Sequence, residues 1–114
     1  MTNNPKVLSL WPSATWIDGG PLAVFRACRK KVHEGQALLT HPLMGDIHLL
    51  RNPFRSVILD EKKGETDLIS LRWIEESIER VRSFHRGPPG SEYLEDYQIL
   101  DLNLFRAAID QKNH

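Results

Sequence analysis

His41, Asp46 and Ser56 are the residue types of a nucleophilic triad, in which a base within hydrogen-bond reach activates a hydroxyl and a carboxylate orients the base. No G-x-S-x-G elbow surrounds Ser56, and three such residues occur by chance in most chains of this length, so a Ser-His-Asp hydrolase is a weak expectation. Metal chemistry would draw on His33, His41, His48 and His85, which fall on different segments. Only Asp46-x-His48 puts two donors at same-face spacing on a strand, and no H-E-x-x-H is present, so no metal site and no cofactor are expected. Gly19 and Gly20, between a strand-like run and Pro21, have the geometry of an anion cradle at a helix start. The pattern is weak: Pro21 removes an amide, Asp18 would repel an anion, and no G-x-G-x-x-G or P-loop pattern is present. Cys28 is the only cysteine, and it sits on an apolar helix face where a thiol packs as a small hydrophobe.

These groups need elements to hold them. Ala14–Ile17 reads as a strand with Trp16 and Ile17 in it, and a helix begins at Pro21 and repeats apolar residues at Leu22, Phe25, Cys28 and Val32 before Gly35 stops it. Ala37-Leu38-Leu39 reads as a buried strand, His41–Asp46 as a structured loop, and Ser56–Leu59 as a central strand closed by Asp60–Gly64. Thr66 or Asp67 caps a helix running through Leu71, Ile74, Ile78, Val81 and His85 to the Gly87-Pro88-Pro89-Gly90 break. Ser91 then caps a last helix with Tyr93, Tyr97, Leu100, Leu104 and Ala108 on one face, wide enough in apolar surface to dock tightly or to form a homodimer. Strands interleaved with helices predict an α/β fold, a small and mostly parallel sheet of three to four short strands packed by about three helices.

The chain has 114 residues, the size of a single domain with a core of its own, spanning 1–114. Fifteen basic and fifteen acidic side chains balance, so no overall field attracts nucleic acid or anionic lipid. The halves differ: residues 1–60 hold seven basic and four acidic groups, a net +3, while residues 61–114 hold eight and eleven, a net −3. A nucleic-acid stripe would join Arg26, Arg29, Lys30 and Lys31 to Arg51 and Arg55, with exposed aromatics that the sequence does not supply. One cysteine, no leader pattern and no long apolar run predict a cytoplasmic protein outside the membrane.

Gly35-Gln36-Ala37-Leu38-Leu39-Thr40-His41-Pro42-Leu43-Met44-Gly45, followed by Asn52-Pro53-Phe54-Arg55-Ser56, resembles the signature of the GrdX family. Thr2-Asn3-Asn4-Pro5 and Leu94–Leu102 (LEDYQILDL) extend the resemblance over nearly the whole chain. Thr40, His41, Pro42, Leu43, Gly45, Pro53 and Ser56 match the pattern, while Phe54 and Arg55 are similar to it. Asp46 stands where the pattern has serine, and His48-Leu49 replaces its K-P step. The pattern also places an apolar strand ahead of T-N-N-P, absent or replaced here. The resemblance implies no assigned activity. It implies small proteins of amino-acid-fermenting anaerobes, associated with glycine, sarcosine or betaine reductase systems. The expected role is a non-catalytic accessory or small-ligand-binding protein, with a small enzyme or an assembly factor for a reductase complex as alternatives. Asn3, Asn4, Thr40, His41, Gly45, Arg55 and Ser56 are the candidate binding residues for a small anionic or amino-acid-derived ligand, on a loop pair at one end of the sheet. The bland alternative is that Thr40 and His41 only shape their turn.

Overall fold

The structure, a computed structural model, describes residues 1–43, 51–84 and 90–112. Among the described residues four helices and two strands follow one another as α1 (Pro5–Leu10), α2 (Pro21–His33), β1 (Gln36–Leu38), β2 (Leu59–Lys63), α3 (Leu68–Arg82) and α4 (Leu94–Lys112). A 3-10 turn, Ser91–Tyr93, leads into α4.

Local chemistry explains most boundaries. Pro21 opens α2 with Gly20 at its N-cap, and Lys30, Lys31 and His33 lie in its last turn, where the dipole favours cations. Gly35 follows with φ +100°, a conformation L-residues rarely adopt, and its Cα faces the Gly64 backbone so closely that a Cβ would collide with it. Asp67, not Thr66, caps α3: its carboxylate accepts from Ser70 N at 3.0 Å and from the Ser70 hydroxyl at 2.6 Å. The Ser70 hydroxyl in turn accepts from Leu38 N at 2.8 Å, which ties the start of α3 to β1. Ser91 does not cap a helix by its side chain; Gly90 precedes the 3-10 turn.

Among the described residues the expected three- to four-stranded, mostly parallel sheet is not formed. β1 and β2 make a two-stranded antiparallel sheet, pairing Gln36 with Lys63 and Leu38 with Leu59 across an irregular register, and Gly64 N bonds Gly35 O at 3.0 Å beyond it. Parallel neighbours need a crossover connection, usually a helix. β2 lies on Leu59–Lys63, later than the apolar Ser56–Leu59 run, because this polar stretch pairs through backbone, with Asp60 half-buried and Glu61–Lys63 exposed. Ala14–Ile17 contributes only an isolated parallel bridge, Trp16 to Thr2, while Thr2 also bridges Ser56 in the antiparallel sense. Met1–Asn3 thus lie between these segments: Ile17 N bonds Thr2 O at 2.9 Å, Val57 N bonds Met1 O at 2.9 Å and Asn3 N bonds Arg55 O at 3.3 Å. α1 is a fourth helix that no periodicity announced. It is too short for a stripe to be read, and it starts because Asn4 caps Lys6 N at 3.0 Å with Pro5 at the first helical position.

Two apolar groups hold these parts together. Val24, Phe25, Cys28 and Val32 of α2 pack with Ile74 and Ile78 of α3, Leu38, Leu43 and Val57 into the main core. Apart from it, Trp11 stands edge-on to Phe105 of α4 with ring centroids 4.9 Å apart, close to the buried Val7 of α1 in sequence. No helix among the described residues is long and apolar enough to cross a membrane.

Candidate functional site

The candidate residues separate into two places. Asn4, Ser56, Asp101 and Arg55 are 0%, 1%, 2% and 3% exposed, so the first place is a sealed polar layer. Ser56 donates to Asp101 Oδ2 at 2.7 Å, Asn4 Nδ2 donates to the same oxygen at 3.0 Å, and Thr2 Oγ1 lies 2.7 Å from Ser56 Oγ. Burial raises the Asp101 carboxyl above its ordinary 3.8, against the opposing pull of the Asn4 and Ser56 hydrogen bonds and of Arg55. Burial likewise lowers the Arg55 guanidinium to about 10, against the attraction of Asp101. The Ser56 hydroxyl donates to a carboxylate as deeply buried as itself, and no histidine among the described residues bonds it, so the pair lies away from solvent as a packing contact.

Two Asn-Pro steps explain how this layer grips α4. Proline has no N–H, so each asparagine Oδ1 is free to accept from the residue after the proline: Lys6 N on Asn4 at 3.0 Å, Phe54 N on Asn52 at 2.9 Å. The two Nδ2 groups then reach adjacent α4 carbonyls, Gln98 O from Asn4 at 2.9 Å and Tyr97 O from Asn52 at 3.0 Å. Asn3 binds the loops instead, donating to Gly19 O and Pro53 O at 2.8 Å each and accepting from Arg55 N at 2.7 Å. Gly19 is therefore fixed through its carbonyl. Its φ is +121°, and a Cβ there would lie 2.9 Å from that of Ala23. Gly20 caps α2 through its backbone, without a side-chain bond.

Thr40 and His41 make the second place, a surface groove of about 370 Å³ between the turn after β1 and the C-terminal half of α4, walled by Leu39, Leu104, Ala107, Ala108 and Gln111. Thr40 Oγ1 accepts from Ile58 N at 3.1 Å, and His41 Nδ1 accepts from Leu43 N at 3.2 Å. With Nδ1 so engaged, the neutral ring carries its proton on Nε2. Burial, and then Arg80, hold His41 below its ordinary 6.5, with Glu76 pulling the other way, and the ring leans on Trp73 at a centroid distance of 5.1 Å. The turn is anchored from below by Pro42 and Leu43, both buried, and by Arg55, whose Nη1 lies 3.5 Å from Leu43 O.

The structure thus brings together Asn3, Asn4, Arg55 and Ser56 in one layer and Thr40 with His41 in another site; Gly45, Asp46 and His48 lie outside the described residues, as does His85. Of the residues a basic stripe would use, Arg29 pairs with Glu75 at 3.6 Å, Lys31 with Glu34 at 3.4 Å, and Arg55 is buried. Among the described residues no three His, Cys, Asp or Glu side chains gather as metal ligands. Asp101, Thr2 and Asn52 were missed. A lone acid inside Ile99-Leu100-Asp101-Leu102 and the repeated Asn-Pro step were the signals available. Tyr93 of the 3-10 turn and Leu100 of α4 face outward, at 55% and 38% exposure.

No curated protein and no solved structure matches this chain. A family model, described as GrdX-like protein, matches residues 1–110, nearly the whole sequence and both sites described above. The chain belongs to the GrdX-like protein family.

Proposed function

We propose that this protein is a non-catalytic accessory protein that binds a small ligand in the groove between the Thr40–His41 turn and α4. The observation that carries the reading is a groove with Thr40 and His41 on one side and the largely apolar Leu104, Ala107 and Ala108 of α4 on the other. Thr40 Oγ1 and His41 Nδ1 are held in place by the bonds they accept from Ile58 N and Leu43 N. A few fixed polar groups beside an apolar wall are the usual composition of a small-molecule site. Asn3, Asn4, Arg55 and Ser56 support the groove rather than line it, since they fix α4 and the turn that form its two sides. A small enzyme is the weaker reading, because Ser56 and Asp101 are buried away from solvent and His41 lies in the other site. A cytoplasmic setting beside glycine, sarcosine or betaine reductase systems is part of the proposal, supported by the family resemblance alone.

Nuclear magnetic resonance titration tests it, following the amides of Thr40–Leu43 and Leu104–Gln111. The panel is glycine, sarcosine, betaine, inorganic phosphate, acetate and butyrate. At least one member should shift those amides saturably. A panel that leaves them unmoved overturns the reading, and co-purification with a large partner would then favour the assembly-factor alternative.

A further inference from the structure

We propose that the His41-Pro42-Leu43 turn is a proton-operated latch beside the groove: the neutral imidazole holds the turn closed and the imidazolium releases it. Three steps through a proline are closed the same way in this chain. In Asn4-Pro5-Lys6 and Asn52-Pro53-Phe54 the side chain ahead of the proline accepts the N–H of the residue after it, at 3.0 and 2.9 Å. His41-Pro42-Leu43 repeats the arrangement, with Nδ1 accepting from Leu43 N at 3.2 Å. Only the acceptor differs, and that difference is the device. An asparagine oxygen keeps its lone pairs at any ordinary pH, whereas an imidazole nitrogen accepts only while the ring is neutral, and a protonated ring carries N–H on both nitrogens. Protonation therefore sets two N–H groups against each other and takes the side-chain acceptor from Leu43, which is 5% exposed.

The surroundings decide which part of the turn responds. Upstream, Leu39 N bonds Ile58 O at 2.8 Å and Thr40 Oγ1 accepts from Ile58 N at 3.1 Å, bonds that do not titrate. Downstream, Leu43 is tied by His41 and by Arg55, whose Nη1 lies 3.5 Å from Leu43 O. Release thus acts on the Pro42–Leu43 half and on the His41 ring, which is half-buried against Trp73. On α3, Arg80 opposes the imidazolium and Glu76 favours it, with Glu79 beside them in the same cleft; Arg55 stands beneath the turn, and α4 presents the uncharged Gln111. Burial is the largest influence and, with Arg80, holds the ring below its ordinary 6.5. The latch is therefore complete above that value and is lost as pH falls through the folded pKa.

Nuclear magnetic resonance of the whole, isotope-labelled protein tests this without any ligand, so its outcome is separate from that of the groove reading. From mildly alkaline pH down to about pH 5, the Leu43 amide and the His41 ring nitrogens should share one inflection on the acid side of 6.5. Across it the hydrogen-exchange protection factor of Leu43 should fall about 10-fold, the loss of one hydrogen bond. The Phe54 amide, capped by Asn52, should pass through unmoved. In His41→Asn, which installs the acceptor used at the other two steps, the Leu43 amide should stop titrating and keep its protection. A Leu43 amide that holds its shift and protection while the ring titrates overturns the latch, as does a ring that stays neutral until the fold itself is lost. An inflection that persists at Leu43 in His41→Asn assigns the effect to another group and overturns it equally. If that variant fails to fold, the comparison of Leu43 with Phe54 in the parent decides.

Discussion

Asp101 offers the sharpest test of how α4 is held. Replacing it with alanine strips the acceptor from the Ser56 hydroxyl and from Asn4 Nδ2, which donate to one oxygen at 2.7 and 3.0 Å. It also takes the opposing charge away from Arg55, itself 3% exposed. Breaking a buried charged arrangement from one side costs about 3–5 kcal/mol, so Asp101→Ala should lower the thermal midpoint by about 12–20 °C at this chain length. Asp101→Asn behaves differently. Its amide oxygen can accept from both donors, and because burial is the dominant influence on Asp101, losing the charge also removes a desolvation cost. The net change at neutral pH should stay within about 1 kcal/mol of the parent.

The pH dependence has a definite sign. A carboxyl raised above its ordinary 3.8 in the fold contributes stability that is complete below that value and is lost as pH rises through the folded pKa. The parent should therefore gain on Asp101→Asn as pH falls through this window. Urea unfolding is the assay, with circular dichroism for helix content and tryptophan fluorescence for the Trp11–Phe105 contact that reports α4 docking. Equal losses in the two variants, or an advantage of Asp101→Asn that grows on acidification, would refute the view that acceptor geometry, more than charge, anchors this helix.

Gly35→Ala forces a Cβ toward the Gly64 backbone at a φ of +100° and should cost about 2 kcal/mol or more, whereas Gly64→Ala, with open space around it, should change stability by under about 0.5 kcal/mol in the same melt. Cys28 is fully buried, and burial pushes its thiol up to about 12, so a disulfide reagent at mildly alkaline pH should label it only as fast as the protein opens; immediate labelling of the native protein would contradict the packing of α2 on α3.

Legibility followed the range of the interaction that fixes each feature. α2 and α3 were readable because proline, glycine and aspartate act on backbone within a few residues, and because Phe25, Cys28, Val32, Ile74 and Ile78 repeat at helical spacing over several turns. α1 was not: six residues give no periodicity, and its cap, Asn4, had been assigned to a binding loop. Partner choice among extended segments was equally hidden, since Ala14–Ile17 has strand composition yet forms one bridge, while the polar Asp60–Lys63 run pairs with β1. Among the candidate site residues, chemistry-bearing type was legible and accessibility was not. Asn4 and Ser56 are the residue types a binding loop uses, and they are equally the types that satisfy a buried carboxylate.

The sequence alone determined the family, the two long amphipathic helices, the glycine stop after α2 and the turn chemistry around His41, because each depends on neighbours along the chain or on residue identities in order. Tertiary structure alone decided that Met1–Asn3 would lie between Trp16 and Ser56, that β1 and β2 would run antiparallel, and that Asp101, some fifty to a hundred residues from Ser56 and Asn4 along the chain, would meet both. Burial is the reason. A side chain's exposure, and with it whether a polar group binds a ligand or holds the fold, depends on what distant segments bring against it.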